Sequence, residues 1–307
     1  MNKYKIFYII LIIFLYYLFN YFYRILYKLK VCLCVIGKNE NLYIKEFVNY
    51  YINLGYNHIY LYDNNDINEE RFEDVIKDEI NSGFISIINY RGYRGDNINP
   101  QIEAYKDCYE KNSNKYDWLS FFDIDEYLEL IPSYFKIQNF LGDKRFSQCQ
   151  NIKLNWVYYM SNHSLYYEDK PLRERVNISF FNISVNRHIK STVRGHLSSN
   201  YWLNAITPHS SSNKFNCCSS SGKYADYKAY YIDPPDFKYA YLKHFQGKSF
   251  EEFCLKIKRG RPIKKYKKYR EEAINKLIKE NKNNKEKMYI LKKIFNITID
   301  SKLFINK

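Results

Sequence analysis

Short apolar runs alternate with helical patterns between residues 31 and 89, and this alternation limits the fold more than any other feature of the chain. Between the first two runs, apolar residues recur at helical spacing from Ile44 to Leu54, and Gly55 follows as a helix terminator. A second helical segment extends to about Asn81, and Gly83 follows it. The predicted strands cover residues 31–36, 58–62 and 84–89. Strand, helix, strand, helix, strand implies a parallel sheet with crossover helices, so the chain is predicted to be an α/β protein.

A fourth apolar run, residues 118–122, leads directly into the acidic cluster Asp123-Ile124-Asp125-Glu126. In open sheets of this kind ligands bind beyond the carboxyl ends of the strands, where this cluster lies. Asp123 and Asp125 are two residues apart in extended chain, so both carboxylates can point to one face and reach one divalent cation. Such a cation suits a diphosphate, because it neutralises the charge that builds on a leaving nucleoside diphosphate. Solvated turn acids are the alternative, but the apolar residues on both sides favour the metal site.

Further polar residues follow predicted strands. His244 stands at the end of a predicted strand, residues 239–245, where a neutral imidazole could complete a metal site, bind a phosphate or serve only the structure. Asp63 could bind a nucleotide ribose or base, or it could only stabilise its own turn. Lys190 and Arg194 could pair with diphosphate oxygens, with ordinary surface charge as the alternative.

The remaining predicted elements are weaker. A loop rich in Arg and Gly, residues 91–100, precedes a helix that begins at Gln101. A polar stretch with several histidines precedes the predicted strand at 239–245. Beyond these we expect a helix near 133–141, a strand at 151–156, a helix after Ser249 and a charged helical extension from residue 261.

Residues 6–23 are apolar or aromatic apart from Asn20. As a helix this run would be about 26 Å long, which nearly matches a hydrocarbon core of about 30 Å. We therefore expect residues 1–29 to form a single-pass membrane anchor rather than a cleavable signal peptide, because no cleavage site follows. Basic residues flank the run almost equally, so the side of the membrane that holds the remaining chain stays open.

The formal net charge is +15, and its densest part is residues 256–268. This basic run fits a solvated face, a contact with anionic lipid headgroups or a role in holding a diphosphate. We expect no nucleic-acid partner, because no stacking aromatics or recognition helix accompany the charge.

The chain has seven cysteines, and their spacing does not suit a structural zinc site. Cys32 and Cys34 alternate within an apolar run and are predicted to be small core residues. The odd number argues against a fully disulfide-paired framework.

Across residues 31–260 the chain resembles glycosyltransferase family 92 and the related family-2-like group. The most specific block is Phe121-Phe122-Asp123-Ile124-Asp125-Glu126-Tyr127-Leu128. The other matching blocks, in chain order, are Lys38-Asn39-Glu40, Gly55 with Ile59-Tyr60-Leu61-Tyr62-Asp63-Asn64, Gln101, Asn155-Trp156 with Asn162-His163, Lys190-Ser191-Thr192-Val193, His209, Lys243-His244-Phe245, Lys248-Ser249-Phe250-Glu251-Glu252-Phe253 and Lys258-Arg259-Gly260.

The resemblance implies a GT-A nucleotide-diphospho-sugar transferase fold, a Rossmann-like mixed sheet flanked by helices. This catalytic domain would cover residues 30–260, with a basic, helical extension at 261–307. A nucleotide sugar would be the donor, with UDP-galactose as one family precedent. Mn²⁺ or Mg²⁺ would be the cofactor. The acceptor would be a glycan, glycoprotein or glycolipid near the membrane.

The resemblance also implies roles for individual residues. The metal would be held by Asp123 and Asp125, with His244 near the metal or the diphosphate. Transfer would invert the anomeric carbon, which needs a general base. His163 is the preferred base among several candidates that include Glu168, Asp169 and His209, and Glu126 is a second catalytic candidate. The expected donor-binding residues are Lys38, Asn39, Glu40, Asp63, Arg94, Gln101, Lys190 and Asp123.

A second interpretation competes with catalysis. Because no residue clearly identifies itself as the base, the chain could be an inactive, membrane-tethered binding protein on a glycosyltransferase scaffold.

Overall fold

In the part of the chain that the structure describes, ten strands form one mixed sheet. The structure, a computed structural model, describes residues 8, 12–16, 29–92, 95, 98–197, 209, 215–226, 230–260 and 267–297. Most of the predicted anchor lies outside these residues, as does Arg94. In the parts of the chain that the structure describes, no helix has the length and apolar character needed to cross a bilayer.

The sheet has the strand order β3-β2-β1-β4-β8-β6-β10-β5, and β7 and β9 pair with β6 outside that path. Its first four strands are parallel to one another. The strands β8 and β5 run antiparallel to their neighbours, which makes the sheet mixed. The strands are β1 (Val31–Gly37), β2 (His58–Asp63), β3 (Ile85–Asn89), β4 (Trp118–Phe121), β5 (Glu126–Leu130), β6 (Asn151–Met160), β7 (Ile178–Phe180), β8 (Ile189–Arg194), β9 (Cys217–Cys218) and β10 (Ala240–Gly247).

The helices begin and end where local chemistry favours it. Gly55 ends α1 with a φ of 100°, which glycine adopts without strain. The side chain of Asn99 caps α3 by accepting from the backbone N–H of Gln101. Ser249 and Glu252 form a capping box that begins α6. The described helices are α1 (Asn41–Leu54), α2 (Lys77–Asn81), α3 (Pro100–Asn112), α4 (Ile137–Leu141), α5 (Leu172–Arg175), α6 (Phe250–Arg259), α7 (Lys267–Asn281) and α8 (Lys285–Phe295), with 3₁₀ turns at Phe72–Asp74, Lys144–Phe146 and Ser184–Arg187.

Two apolar cores lie on opposite faces of the sheet. Successive residues of β1 alternate between them, as strand geometry requires: Leu33 and Val35 face one core, whereas Cys34 faces the other. Helix α1 packs into the first core and α3 into the second. The sheet is therefore covered on both faces, which explains why its parallel strands are apolar throughout. A third, smaller cluster joins α6 to α8.

The N-terminal half of the sheet confirms the predicted parallel arrangement. The second predicted helix is shorter than expected, because only Lys77–Asn81 is α-helical and a 3₁₀ turn at Phe72–Asp74 precedes it. The C-terminal half differs from expectation. Strands β5 and β8 were not predicted, because β5 continues straight from the acidic cluster and β8 carries buried polar residues instead of an apolar alternation. Strand β6 runs four residues further than expected, to Met160, and the helix predicted at 133–141 covers only Ile137–Leu141.

The cysteine prediction is partly corrected. Cys34 is buried as expected, but it forms a disulfide with Cys108, and Cys149 pairs with Cys218. Cys32 is a small, unpaired core residue as predicted. Because unpaired cysteines remain among the described residues, the framework is not fully disulfide-paired.

Candidate active site

A cleft of about 400 Å³ opens where the parallel strands end. One side of the cleft is formed by residues at the ends of four strands: Gly37 ends β1, Asn64 follows β2, Gly92 follows β3 and Asp123 follows β4. Helix α6 closes the opposite side with Lys256 and Arg259. The acidic cluster thus lies at the carboxyl edge of the sheet, as the sequence predicts.

The carboxylate of Asp123 is bound on both oxygens. Gln101 Nε2 donates to Oδ1 at 2.7 Å, and Lys190 Nζ donates to Oδ2 at 2.6 Å. Burial alone would raise the pKa of Asp123, but the charge of Lys190 outweighs it and holds the pKa below its ordinary value. The side chain is still 35% exposed, so its carboxylate can meet a ligand in the cleft.

Asp125 faces a different set of partners. Lys256 Nζ donates to Oδ2 at 2.9 Å, and His244 Nε2 stands 3.7 Å from Oδ1, too far for a hydrogen bond. Burial would raise the pKa of this carboxyl, but Lys256 and His244 hold it well below its usual range. With only 8% of its side chain exposed, Asp125 is an ionised carboxylate at the inner wall of the cleft.

His244 lies on β10 against the ring of Trp156, with ring centroids 4.3 Å apart. Burial lowers the pKa of His244 to about 4, even though Asp125 acts in the opposite direction. The imidazole is therefore neutral at physiological pH, the form that binds metal ions. Its Nδ1 is buried and has no hydrogen-bond partner among the described residues.

These residues fit a divalent cation only in part. Among the residues that the structure describes, no three His, Cys, Asp or Glu side chains are arranged to hold a metal ion. Asp125 and His244 are adjacent, whereas Asp123 is bound by Lys190 and Gln101. One or two protein ligands are nevertheless what Mg²⁺ takes when substrate phosphates and water supply the rest. The site therefore suits a cation that arrives with a diphosphate.

Glu126 is completely buried below Asp123. Its Oε2 accepts the backbone N–H of Asp123 at 2.9 Å, and its Oε1 is 3.5 Å from Lys190 Nζ. Glu126 therefore braces Asp123 and Lys190 from behind, and its carboxylate does not face the cleft. His163 lies in the turn after β6 with a φ of 54° and is exposed, outside the residues that line the cleft.

The predicted donor-binding residues fall into two groups. Lys38, Glu40 and Gln101 line the cleft, together with Asp123. Two others lie elsewhere. Lys190 is fully buried behind the cleft wall. Asn39 is exposed and lines an adjoining cavity, and its backbone N–H donates to Asn65 Oδ1 at 2.7 Å.

Asp63 is also behind the wall, with 1% of its side chain exposed. Arg91 donates to its Oδ2 at 2.6 Å, and Asn65 donates to its Oδ1 from both backbone and side chain. The same guanidinium donates to several backbone carbonyls of residues 66–70. Asp63 thus anchors the loop that carries Asn64 and Asp66 into the cleft.

Two basic residues of the cleft were absent from the predicted set. Lys256 binds Asp125, and Arg259 binds the carboxylate of Glu40 and donates to the Lys38 carbonyl at 2.7 Å. Both lie in the basic run 256–268, for which a diphosphate-holding role was one of three interpretations. Their spacing of three residues on a helix, which places them on one face, was the available signal.

Comparison with known protein families gives a match that covers most of the chain. The sequence profile of Glycosyltransferase family 92 matches residues 27–289. A glycosyltransferase family 92 protein of Ricinus communis is 26% identical over 101 residues, which is 33% of this chain and 17% of the relative. One of Oryza sativa subsp. japonica is 26% identical over 99 residues, 32% of this chain and 16% of the relative. The matched segment is therefore a small part of these longer proteins.

Solved structures give weaker likenesses. Staphylococcus aureus TarS, residues 1–349, has a TM-score of 0.34 and 14% identity over 75% of this chain and 63% of that one. The mannosyltransferase PcManGT of Pyrobaculum calidifontis, solved with GDP-Man and Mn²⁺, has a TM-score of 0.31 and 10% identity over 42% of this chain and 36% of that one. Structural similarity at this level supports no conclusion about the activity of this chain.

Proposed function

The chain belongs to glycosyltransferase family 92, and from that premise we propose that it transfers a sugar from a nucleotide-diphosphate donor to a glycan, glycoprotein or glycolipid. The donor in this proposal is a UDP-sugar, with UDP-galactose as the family precedent. The fold in this proposal is of the GT-A type, on which a nucleotide sugar binds at the carboxyl edge of the sheet.

One observation carries the proposal: a single cleft brings acidic and basic side chains together where the parallel strands end. Its volume of about 400 Å³ is in the range of small-molecule sites. Asp123 and Asp125 come from the turn that joins β4 to β5, and Lys256 and Arg259 come from α6. Carboxylates on one wall suit a cation, whereas the basic wall suits the phosphates that the cation would bridge.

In this proposal Asp125 and His244 hold Mn²⁺ or Mg²⁺, with Asp123 beside them. When bound, the cation would neutralise the charge of the departing nucleoside diphosphate. The chain's own residues prepare the site for that charge. Gln101 and Lys190 hold the Asp123 carboxylate in place, and Arg259, fixed by Glu40, supplies a positive charge at the cleft wall.

The general base belongs to the same proposal. Inverting transfer needs a group that takes the proton of the acceptor hydroxyl. His163 is the imidazole that the family blocks favour, and from its exposed turn it would have to approach the cleft with the acceptor bound. Glu126 is not proposed as the base, because its carboxylate is buried behind Asp123; its proposed role is to hold Asp123 in position.

Membrane attachment is the remaining part of the proposal. Residues 1–29 are proposed as a single-pass anchor that crosses the membrane with the apolar run at 6–23. The proposal is compatible with a catalytic domain on either side of the membrane. Because the family match begins at residue 27, the catalytic cleft would operate close to the bilayer.

A second candidate function is an inactive binding protein on the same scaffold. It is favoured by the ion pairs of Asp123 with Lys190 and of Asp125 with Lys256, which satisfy both carboxylates without a ligand. Such a protein would retain the fold and give no sugar transfer.

The test combines a binding screen with one variant and its control. Thermal unfolding of the full chain is followed with UDP-, GDP- and CMP-sugars, with and without Mn²⁺, because a ligand that binds the native state raises the melting temperature. We expect a UDP-sugar to raise it only with Mn²⁺. Transfer or donor hydrolysis should be lost in Asp125→Ala and kept in Asp74→Ala, whose carboxylate is exposed and outside the cleft.

Two results would count against the enzyme. Full activity in Asp125→Ala would contradict a mechanism in which Asp125 holds a catalytic metal ion. A folded wild-type protein that no nucleotide sugar stabilises, and that hydrolyses none of the donors, would favour the binding protein.

A further inference from the structure

Each carboxylate of the acidic pair already carries a lysine counter-ion before any ligand arrives. Lys190 Nζ is 2.6 Å from Asp123 Oδ2, and Lys256 Nζ is 2.9 Å from Asp125 Oδ2. The two lysines differ in how firmly they are held. Lys190 is fully buried between Asp123 and Glu126, so its side chain cannot adopt another position without disturbing the core. Lys256 stands at the cleft and is 38% exposed.

Among the residues that the structure describes, Lys256 is the least buried of the cations that line or stand next to the cleft. The exposed fraction of the side chain is 0% for Lys190, 8% for Lys248, 20% for Arg259, 26% for Lys38 and 38% for Lys256. Lys38 is paired with both Asp66 and Glu69. Arg259 is tied to Glu40 and to the Lys38 carbonyl, and Lys248 lies 3.7 Å from the ring centre of Tyr43. The single ion pair of Lys256 therefore leaves it freer than its neighbours to change partner.

The structure also provides space for that change. Lys256 lines the 400 Å³ cleft and an adjoining cavity of about 590 Å³, which share Lys38, Glu40 and Arg259 as walls. A lysine side chain has a flexible four-carbon stem, so its ammonium group can move by several Å without a shift of the backbone.

Lys256 and a metal ion compete for one carboxylate. A cation held by Asp125 and His244 would sit beside a lysine that already binds Asp125, and two positive charges on one buried carboxylate repel each other. A nucleoside diphosphate removes the conflict, because it offers Lys256 phosphate oxygens as a new partner.

We propose that Lys256 couples metal binding to nucleotide binding, by occupying Asp125 in the free protein and moving to the diphosphate when metal and nucleotide enter together. The inference rests on the proposed function, since it takes the ligands to be a divalent cation and a nucleoside diphosphate. The free enzyme then binds metal weakly and the nucleotide-bound enzyme binds it tightly. The coupling is reciprocal, because each ligand must strengthen the other by the same factor.

The experiment measures Mn²⁺ binding directly, apart from activity. Free Mn²⁺ is followed by electron paramagnetic resonance during titration of the purified full chain, alone and with UDP or GDP. In the wild type we expect nucleotide to tighten Mn²⁺ binding on the order of tenfold or more, within the range of known couplings. In Lys256→Met, Mn²⁺ alone should bind about tenfold tighter than in the wild type, and the effect of nucleotide should shrink to roughly threefold or less.

Two further variants define the control. Lys258→Met removes a charge two residues along the same helix, from an exposed side chain with no ion pair to Asp125, and should behave like the wild type. Lys256→Arg keeps the charge and should retain most of the coupling. Thermal unfolding of each variant checks that the fold is intact, and if Lys256→Met does not fold, Lys256→Gln takes its place.

The outcomes separate this inference from the function. If wild-type protein binds Mn²⁺ and nucleotide cooperatively but Lys256→Met is equally cooperative, the inference is wrong and the proposed function stands. If Lys258→Met changes the coupling as much as Lys256→Met, general charge rather than the Asp125 ion pair is responsible, and the inference again fails. If neither ligand binds the folded wild type, both are overturned.

Discussion

Gln101 shows how one side chain far from the acidic cluster in sequence prepares it for a ligand. Its amide donates to Asp123 at 2.7 Å, from the first turn of α3. The amide dipole and Lys190 together fix both oxygens of that carboxylate. Gln101 is therefore a positioning residue of the cleft as well as a lining residue.

We predict that Gln101→Ala lowers kcat/KM for sugar transfer by roughly ten- to a hundredfold, because a hydrogen bond to a charged group is worth about 1.5–3 kcal/mol. The measurement is steady-state kinetics with the donor that the binding screen identifies. Lys111→Ala, near the other end of the same helix and 66% exposed, is the control and should change little. Equal losses in both variants would mean that α3 as a whole, and not the Gln101 amide, matters.

Glu252 is a buried carboxylate with many donors. Arg175 gives it two hydrogen bonds of 2.6 and 2.7 Å, Tyr43 gives one of 2.6 Å, and Ser249 donates from both backbone and hydroxyl. Burial alone would raise the pKa of Glu252, but the hydrogen bonds from Arg175 and Ser249 outweigh it and lower the pKa from its ordinary value. The network joins α5, α6 and α1.

Replacing Glu252 by Gln should lower the free energy of unfolding at pH 7 by about 3 kcal/mol, because Arg175 is then left buried without its counter-charge. A carboxyl whose pKa is lowered by folding stabilises the native state fully above its unfolded pKa of 4.5, and that contribution is lost as the pH falls through the folded pKa. The gap between wild type and variant should thus be constant from pH 6 to 8 and narrow below about pH 4.5.

Denaturant unfolding at several pH values measures this gap. Glu174→Gln, an exposed carboxylate on α5, serves as the control and should stay within about 0.5 kcal/mol of the wild type throughout. A gap that persists unchanged at pH 3 would show that shape, and not charge, is responsible.

At the scale of elements, α6 connects the cleft with the C-terminal part of the described chain. Its N-terminus is fixed by the capping box, and its cleft side carries Lys256 and Arg259. On another face Cys254 packs with buried residues of α8, among them Leu291 and Ile294. The orientation of the basic wall therefore depends on α8 as well as on the sheet.

Leu291→Ala should loosen α6, because Leu291 is fully buried in this small cluster and such deletions cost about 2–5 kcal/mol. Hydrogen exchange at residues 250–259 should become faster, with little change in β1 or β4. Tyr289→Ala on the same helix removes a side chain that is 60% exposed and should leave the exchange of α6 unchanged. If α6 keeps its protection in Leu291→Ala, then α8 does not support the cleft.

At the scale of the whole molecule, two disulfides join parts of the chain that lie far apart in sequence. Cys34 of β1 is linked to Cys108 of α3 across 74 residues, and Cys149 is linked to Cys218 of β9 across 69 residues. The first bond holds α3, and with it Gln101, against the central strand. Each bond closes a long loop, which limits the freedom of the unfolded chain.

We predict that a reducing agent lowers the melting temperature of the wild type, since loss of a native disulfide typically costs about 2–5 kcal/mol. In the double variants Cys34→Ala with Cys108→Ala, and Cys149→Ala with Cys218→Ala, the reducing agent should lower the melting temperature less than in the wild type. Cys32 is an unpaired cysteine on β1 beside Cys34, so in Cys32→Ala the reducing agent should lower it as much as in the wild type. A melting temperature that a reducing agent leaves unchanged would exclude both bonds as stabilising elements.

Features that depend on local spacing could be predicted from the amino-acid sequence alone. Periodicity of apolar residues located β1, β2, β3 and β4 and the helices between them, and the position of Asp123 and Asp125 after β4 placed them at the ligand edge of the sheet. Alternation and helical period are properties of neighbouring residues, so they can be recognised without knowing the fold.

Which distant side chains meet at that edge could not be predicted, because those contacts form only when the whole chain is folded. Lys190 reaches Asp123 across 67 residues of sequence and Lys256 reaches Asp125 across 131. The strand β8 that carries Lys190 is buried beside β4, so its polar residues face partners instead of water and the apolar pattern disappears. Ion pairs, disulfides and buried polar strands depend on the order of strands in the sheet, and that order follows from packing of the whole chain rather than from any short stretch of it.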